Sequence, residues 1–394
     1  MLKHEISELH CLLGTGLMFQ RFFFAPIPHT LRAMTSNAPR FLVRHIGNMG
    51  DHVFFIPPVL ESLKRHYPGC NITLVTAWGY KQTQRRLVLG PKYERWGERN
   101  QGGFCISLMM TDPNVDQLVH WHDTKTSLTG DICVEEGKHF PTWSAEHYAS
   151  VKELGEYDKV FELDFGIGHD DDPIQKMYEA VGLPDEDFSN YRLYLTDEDR
   201  EVAAAVMRDV PRPRIVLLEG LAGTTTRGWD PAKIAALEQY ITEVYGAAPR
   251  WFGGAHIPEY EGRPLTLREN IATLELCDIG IGVLSGPLHF AAAVGLPTIT
   301  LYADMSLHRT APAYFLNEYI DDPVKRHRTI IGPPATPQTM LKSPEPPTVL
   351  TAAETREQGY ENWTAPGDQS KKGGLAVLTV DEIMSVVADM MPTT

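Results

Sequence analysis

Short apolar runs of strand length, each broken by glycine or proline, set the hydrophobic pattern of this chain. Phe41–His45, Asn71–Thr76, Tyr157–Leu163, Arg214–Leu218, Arg250–Phe252, Ile279–Val283 and Thr298–Tyr302 read as strands. Helical stretches lie between them. An apolar helix with Pro57 and Pro58 in its first turns follows Asp51 and ends at Arg65-His66-Tyr67-Pro68. Thr196 caps a helix that carries Ala203, Ala204, Ala205 and Val206, and Thr379 caps an amphipathic helix reaching Met391. Strand, turn, helix and strand in repetition predict an α/β fold built on βαβ units. Pro211-Arg212-Pro213 reads as a linker, which puts a domain boundary near Thr196.

The stretch from Leu276 to Asp304 carries the most chemistry. Its strand turns sharply at Ser285-Gly286-Pro287, and Pro287 suits the first turn of the helix over His289 to Val294. Gly295 and Pro297 stop that helix before the next strand. Free N–H groups and the helix dipole at such an end favour an anion, most often a phosphate. A second loop, from Gly220 to Trp229, is rich in glycine and hydroxyls. There Gly223, Thr224 and Thr225 offer donors to a diphosphate, and Arg227 offers a neutralising charge. Asp170-Asp171-Asp172 precedes Pro173 in a polar loop and reads as a solvated helix start rather than a metal site.

Composition narrows the function. The chain has 394 residues, enough for two domains of ordinary size, and 43% hydrophobic residues are enough for packed cores. A formal charge of −15 argues against a nucleic-acid partner, which would need a clustered basic surface. Five cysteines without CxxC spacing fit a reducing cytoplasm and neither a disulfide framework nor a zinc site. No apolar stretch reaches the length of a membrane span. Residues 1–37 stay unassigned: the aromatic stretch Leu12 to Pro28 reads either as an interfacial helix touching a membrane or as an extension ahead of a start at Met34. Residues 332–376 are rich in Pro, Thr, Gly and charge and read as a long loop or insertion.

Ser285-Gly286-Pro287-Leu288-His289, then Ala291-Ala292-Ala293 and Gly295-Leu296-Pro297-Thr298, resembles the nucleotide-sugar signature of the heptosyltransferases, the family nine glycosyltransferases of GT-B fold. The family's Asp before the Ser is Leu284 here. Gly47-Asn48-Met49-Gly50-Asp51 with Pro57 and Tyr67-Pro68 resembles the family's opening G-x-x-G-D unit, although its His-Thr pair is Phe54-Phe55 here. Val115–Val119 resembles a family strand, Arg227 and Trp229 match its Lys-x-Trp with Arg for Lys, and Arg309 and Pro312 fall where it carries Arg and Pro.

The resemblance implies two Rossmann-like, doubly wound domains facing a cleft, over residues 38–195 and 196–331, with a C-terminal helix in 377–394. It implies an inverting, metal-independent sugar transfer of the lipopolysaccharide type in the cytoplasm, with peripheral contact at the inner membrane face. The donor is a nucleotide-diphosphate sugar of ADP type, the acceptor is a glycan or glycolipid, and there is no separate cofactor. Asp51 matches the proposed base, and Asn48 and Gly50 lie on the acceptor side. Ser285, Gly286, Pro287, Leu288 and His289 line the phosphate end with Arg227, and Glu259 stands in for a ribose-contacting acid. Two other readings stay open: a binding protein of this fold that has lost transfer, and an epimerase or hydrolase of nucleotide sugars.

Overall fold

A computed structural model of the chain describes residues 38–47, 50–78, 103–121, 132–135, 138–163, 173–184, 186, 192–218, 229–253, 257–283, 285–302, 327–331, 348–350 and 378–391. Two six-stranded sheets organise them. The first holds β1 (Arg40–Gly47), β2 (Asn71–Trp78), β3 (Gln117–Trp121), β4 (Ile132–Glu135), β5 (Lys138–Trp143) and β6 (Lys159–Glu162) in the order β4-β5-β3-β2-β1-β6. Its neighbours run parallel except β4, which is antiparallel to β5. The second holds β7 (Ile215–Leu218), β8 (Arg250–Phe252), β11 (Ile279–Val283), β12 (Thr298–Tyr302), β13 (His327–Ile331) and β14 (Thr348–Leu350) in the order β14-β13-β12-β11-β7-β8. It too is parallel, apart from the β13–β14 pair. A separate hairpin pairs β9 (Glu259–Tyr260) with β10 (Arg263–Pro264).

Parallel sheets need both faces covered, so their strands are apolar on both sides. Phe41 and Val43 of β1 enter one core cluster while Leu42 between them enters another. In the second sheet Ile215 and Leu217 face one cluster, and Val216 and Leu218 face the opposite one. The Ile-Gly-Ile-Gly-Val sequence of β11 follows from this. Ile279, Ile281 and Val283 fill one face, while Gly280 and Gly282 leave room on the other. A Cβ on Gly282 would lie 2.8 Å from the Cβ of Leu218, and one on Gly280 would lie 3.2 Å from Cδ2 of Leu296. The largest cluster runs from Phe41 in the first sheet to Leu218, Leu267 and Phe290 beside the second, so one core serves both.

Helices cover these faces. In chain order they are α1 (Asp51–Phe54), α2 (Ile56–His66), α3 (Gly103–Met109), α4 (Ala145–Glu153), α5 (Pro173–Ala180), α6 (Asp197–Met207), α7 (Pro231–Tyr245), α8 (Leu267–Ala272), α9 (Gly286–Ala293) and α10 (Val380–Met390). The expected caps form: Thr196 with Asp199 and Thr379 with Glu382 are reciprocal capping boxes. Asp230 caps α7 through Ala232 N at 2.8 Å. Helix α10 packs against α7 on the outer face of the second sheet, where Leu378 O accepts from Lys233 Nζ at 2.7 Å. Buried Arg268 of α8 ties three helices: Nε donates to Asp199 Oδ2 of α6 and a terminal nitrogen donates to Ser107 O of α3, both at 3.0 Å.

Three local features depart from the sequence pattern. The expected helix after Asp51 is split into α1 and α2. Pro57 and Pro58 lack the N–H groups that would bond back to Val53 and Phe54, so the turn closes at Phe55. The freed carbonyl of Val53 instead accepts from Arg192 N at 3.3 Å. Within the stretch read as a Pro-rich loop, Thr348–Leu350 forms β14. Strands β4, β5, β9, β10 and β13 lack the long apolar runs that mark the others. Helix α5 starts at Pro173 as expected; the acids before it, residues 1–37, Arg309 and Pro312 lie outside the described residues.

Candidate active site

In open α/β sheets, ligands bind beyond the carboxyl ends of the strands where the strand order reverses. The first sheet reverses at β1, whose neighbours β2 and β6 lie on either side. The second reverses between β7 and β11. Both motifs picked out in the sequence leave the sheets at these points. The Gly-rich turn with Gly50 and Asp51 follows β1, and Ser285-Gly286-Pro287 follows β11.

Gly50 O accepts from Val53 N at 3.1 Å and from Phe54 N at 3.0 Å, so this glycine serves as the N-terminal anchor of α1 and Asp51 is its first residue. His52, fully buried, places Nε2 2.5 Å from Thr76 Oγ1 on β2. Its ring lies 4.8 Å from that of His45 on β1, and His45 Nδ1 donates to Leu163 O past the end of β6 at 2.9 Å. The carboxyl ends of β1, β2 and β6 are thus cross-tied beneath Asp51.

At the second motif Ser285 is extended, at φ −161°, and its Oγ donates to Val283 O at 3.0 Å instead of capping the helix. Leu288 N and His289 N both bond to Ser285 O, and Pro287 has no N–H. That leaves Gly286 N as the uncapped backbone donor within the first turn of α9. Leu288 turns its side chain wholly into the shared core, so any part it plays at a phosphate is through the backbone. Gly295, at φ +79°, ends the element after Ala293.

The two motifs touch. A Cβ on Gly50 would lie 2.9 Å from His289 Cδ2 and 3.3 Å from Gly286 Cα. The His289 ring is buried and stacks on Phe54, with centroids 5.3 Å apart and planes 23° from parallel. Phe54, at the position of the family's His-Thr pair, therefore covers His289. The turn after β1 and the start of α9, remote in sequence, form one continuous surface.

Not every expected residue joins it. Glu259 is exposed on the β9–β10 hairpin, and no described contact ties it to the 285–289 turn. Trp229 is buried in the outer core of the second sheet. Asn48, Leu284, Gly223, Thr224, Thr225 and Arg227 lie outside the described residues, as does the side chain of Asp51. His45, His52 and Thr76 escape the sequence reasoning. Their only signal there is a pair of histidines flanking the Gly-rich turn, and Thr76 carries none. Among the described residues no group of three or more His, Cys, Asp or Glu is placed to hold a metal, and no helix is long and apolar enough to cross a membrane.

The chain is similar to known proteins in part of its sequence and in its fold. Residues 263–337, which span α8, β11, α9, β12 and β13, match the model of Glycosyltransferase family 9 (heptosyltransferase). The structure is similar to that of the glycosyl transferase family 9 from Veillonella parvula DSM 2008: TM-score 0.51 at 15% identity, over 91% of this chain and 98% of that one. The E. coli ADP-heptose lps heptosyltransferase II matches at TM-score 0.44 and 13% identity, over 89% of this chain and 98% of that one. E. coli heptosyltransferase WaaC with ADP matches at TM-score 0.38 and 15% identity, over 89% and 100%. No curated protein matches the sequence. The fold is similar to that of a family 9 glycosyltransferase, as the resemblance of the motifs implied, and the match to the family model lies in residues 263–337.

Proposed function

We propose that this chain is an inverting, metal-independent glycosyltransferase that moves a heptose-like sugar from an ADP-type donor to a glycan or glycolipid acceptor. The observation that carries the reading is the contact of Gly50 with Gly286 and His289. It brings the turn that bears Asp51 against the helix start suited to a diphosphate, each at the carboxyl end of a strand where its sheet reverses. The match of residues 263–337 to the heptosyltransferase family model supports the donor class.

In this reading Asp51 takes the proton of the acceptor hydroxyl as that oxygen attacks the anomeric carbon. The bond from that carbon to the diphosphate breaks on the opposite face, inverting the centre. The leaving diphosphate gathers charge beside Gly286 N at the positive end of α9, with Arg227 as counter-charge. Phe54, stacked on His289, helps to fix the side of α9 that faces the turn bearing Asp51. Lipopolysaccharide core is the acceptor class that the resembling family implies.

A thermal-shift panel against ADP, UDP, GDP, CDP and TDP, with and without EDTA, tests the donor site. A ligand at a hundred times its dissociation constant adds about 2.7 kcal/mol to stability, a clear rise in Tm. A rise with ADP that survives EDTA is the expected outcome; no rise with any nucleotide refutes the donor site. Mass analysis of a heptose-less lipopolysaccharide core incubated with ADP-heptose then separates transfer from hydrolysis.

A further inference from the structure

Helix α1 is a poor support for a catalytic group by itself. It has four residues, its Val53 and Phe54 amides bond back to Gly50 O, its Val53 O accepts from Arg192 N, and the prolines cut it off from α2. What holds it is a buried polar chain. Thr76 Oγ1 lies 2.9 Å from the backbone oxygen of His45, which can only accept, so the hydroxyl proton points there. The hydroxyl oxygen is then left to accept from His52 Nε2–H at 2.5 Å, which sets the tautomer of His52. His52 and Thr76 are fully buried and His45 is nearly so. Thr76 and His45 are register partners on β2 and β1, so the chain ends in the rigid part of the first sheet. An apolar pair would fill this space without the desolvation that buried polar groups incur, but it would not dictate a direction.

We propose that His52, acting through Thr76, is a positioning residue that holds the backbone of Asp51 at the carboxyl end of β1. The proposal rests on Asp51 being the base. The neighbouring histidine locks the first turn after the Gly-rich loop to the sheet, so that the carboxylate starts from a fixed point. A misplacement of about 1 Å at a reacting group is enough to lower turnover by up to about a hundredfold.

The full chain carrying Thr76→Val, Thr76→Ser, Asp51→Asn or Thr76→Val/Asp51→Asn supplies the test, with two independent readouts. Amide hydrogen exchange at Val53 and Phe54 reports on α1 whatever the activity. Turnover of ADP-heptose with heptose-less lipopolysaccharide core reports on catalysis. Thr76→Val is expected to speed exchange at both amides about tenfold with Tm little changed, and to lower kcat about tenfold while the donor KM holds. Thr76→Ser restores both. In the Asp51→Asn background the Val substitution adds no further loss, because it acts through the missing carboxylate. Unchanged exchange in Thr76→Val, or an undiminished tenfold loss in the double variant, overturns the proposal. Wild-type turnover in Asp51→Asn instead overturns the reading of Asp51 as base, and exchange alone then decides what Thr76 holds. His52→Leu removes the donor from the other end of the bond and gives the same two readouts should Thr76→Val fail to fold.

Discussion

Adding one methyl group at Gly50 tests the contact on which the functional reading turns. The φ of Gly50 lies outside the left-handed region, so Gly50→Ala introduces no backbone strain and its effect comes from contact alone. The new carbon meets His289 Cδ2 at 2.9 Å and Gly286 Cα at 3.3 Å. The histidine cannot retreat, because its ring is buried and stacked on Phe54. Gly286 is backbone at the start of a helix. Relief therefore requires the turn after β1 to move away from α9, and overpacking of this kind costs about 1–3 kcal/mol. Because Gly50 O accepts from the Val53 and Phe54 amides of α1, the same displacement carries Asp51 with it. Urea unfolding of the full chain reads the cost as a lowered midpoint at constant slope. His289→Ala removes the 2.9 Å contact and leaves the one at 3.3 Å. Gly50→Ala in that background should then cost less by about 1 kcal/mol, a coupling typical of touching residues. An unchanged midpoint for Gly50→Ala, or an equal cost in both backgrounds, refutes the contact and with it the meeting of the two motifs.

Two further substitutions follow from buried charge. Arg268→Ala strips the cation from Asp199, itself buried, and also empties the bond to Ser107 O; a loss of about 3–5 kcal/mol is expected in the same unfolding assay. Arg268→Ala combined with Asp199→Asn should recover part of it, and a single variant that costs under about 1 kcal/mol would refute the importance of the tie. Asp112 gives a pH effect. Burial pushes its carboxyl up to about 6, against bonds from Asn114 that favour the charged form. The native state therefore holds this proton longer than the unfolded chain, whose carboxyl releases it near the ordinary 3.8. The contribution to stability is fully present below about pH 4 and is lost as pH rises through about 6. Asp112→Asn, which keeps the acceptor for Asn114 without the charge, should gain on the wild type across that window by up to about 3 kcal/mol and hold the gain at about pH 8. A gap already complete at the acid end of that window, or none at its alkaline end, contradicts this.

What was legible in the sequence was local. Strands β1, β7, β11 and β12 stand out because parallel strands buried on both faces leave continuous apolar runs, and Gly50, Ser285 and Gly295 mark where the chain must turn. Thr196 and Thr379 announce their helices through residues three positions on. The hairpin strands β4 and β5 and the edge strand β14 do not stand out, since a hairpin or a three-residue edge gains its identity from the neighbour it pairs with. Pro57 and Pro58 read in the sequence as part of the first turns of one helix after Asp51; in the structure they cut α1 from α2, with Arg192 at hand to satisfy Val53 O. The site follows the same division. Each half of the Gly50–His289 contact carries its own motif, while the stacking of Phe54 and the His52–Thr76 bond join positions that no periodicity relates.

The core shared by the two sheets also limits how the molecule can move. Swinging one sheet away from the other like a book cover would bring side chains such as Leu218, Leu267, Ile271 and Leu288 into water, at about 1.5–3 kcal/mol for each one fully exposed. Four of them together would match the whole stability of an ordinary domain. The displacements left are small slides or twists that keep these side chains interleaved. The contact of Gly50 with Gly286 and His289 is then held by the core beneath it, and the two sheets keep their strand ends together.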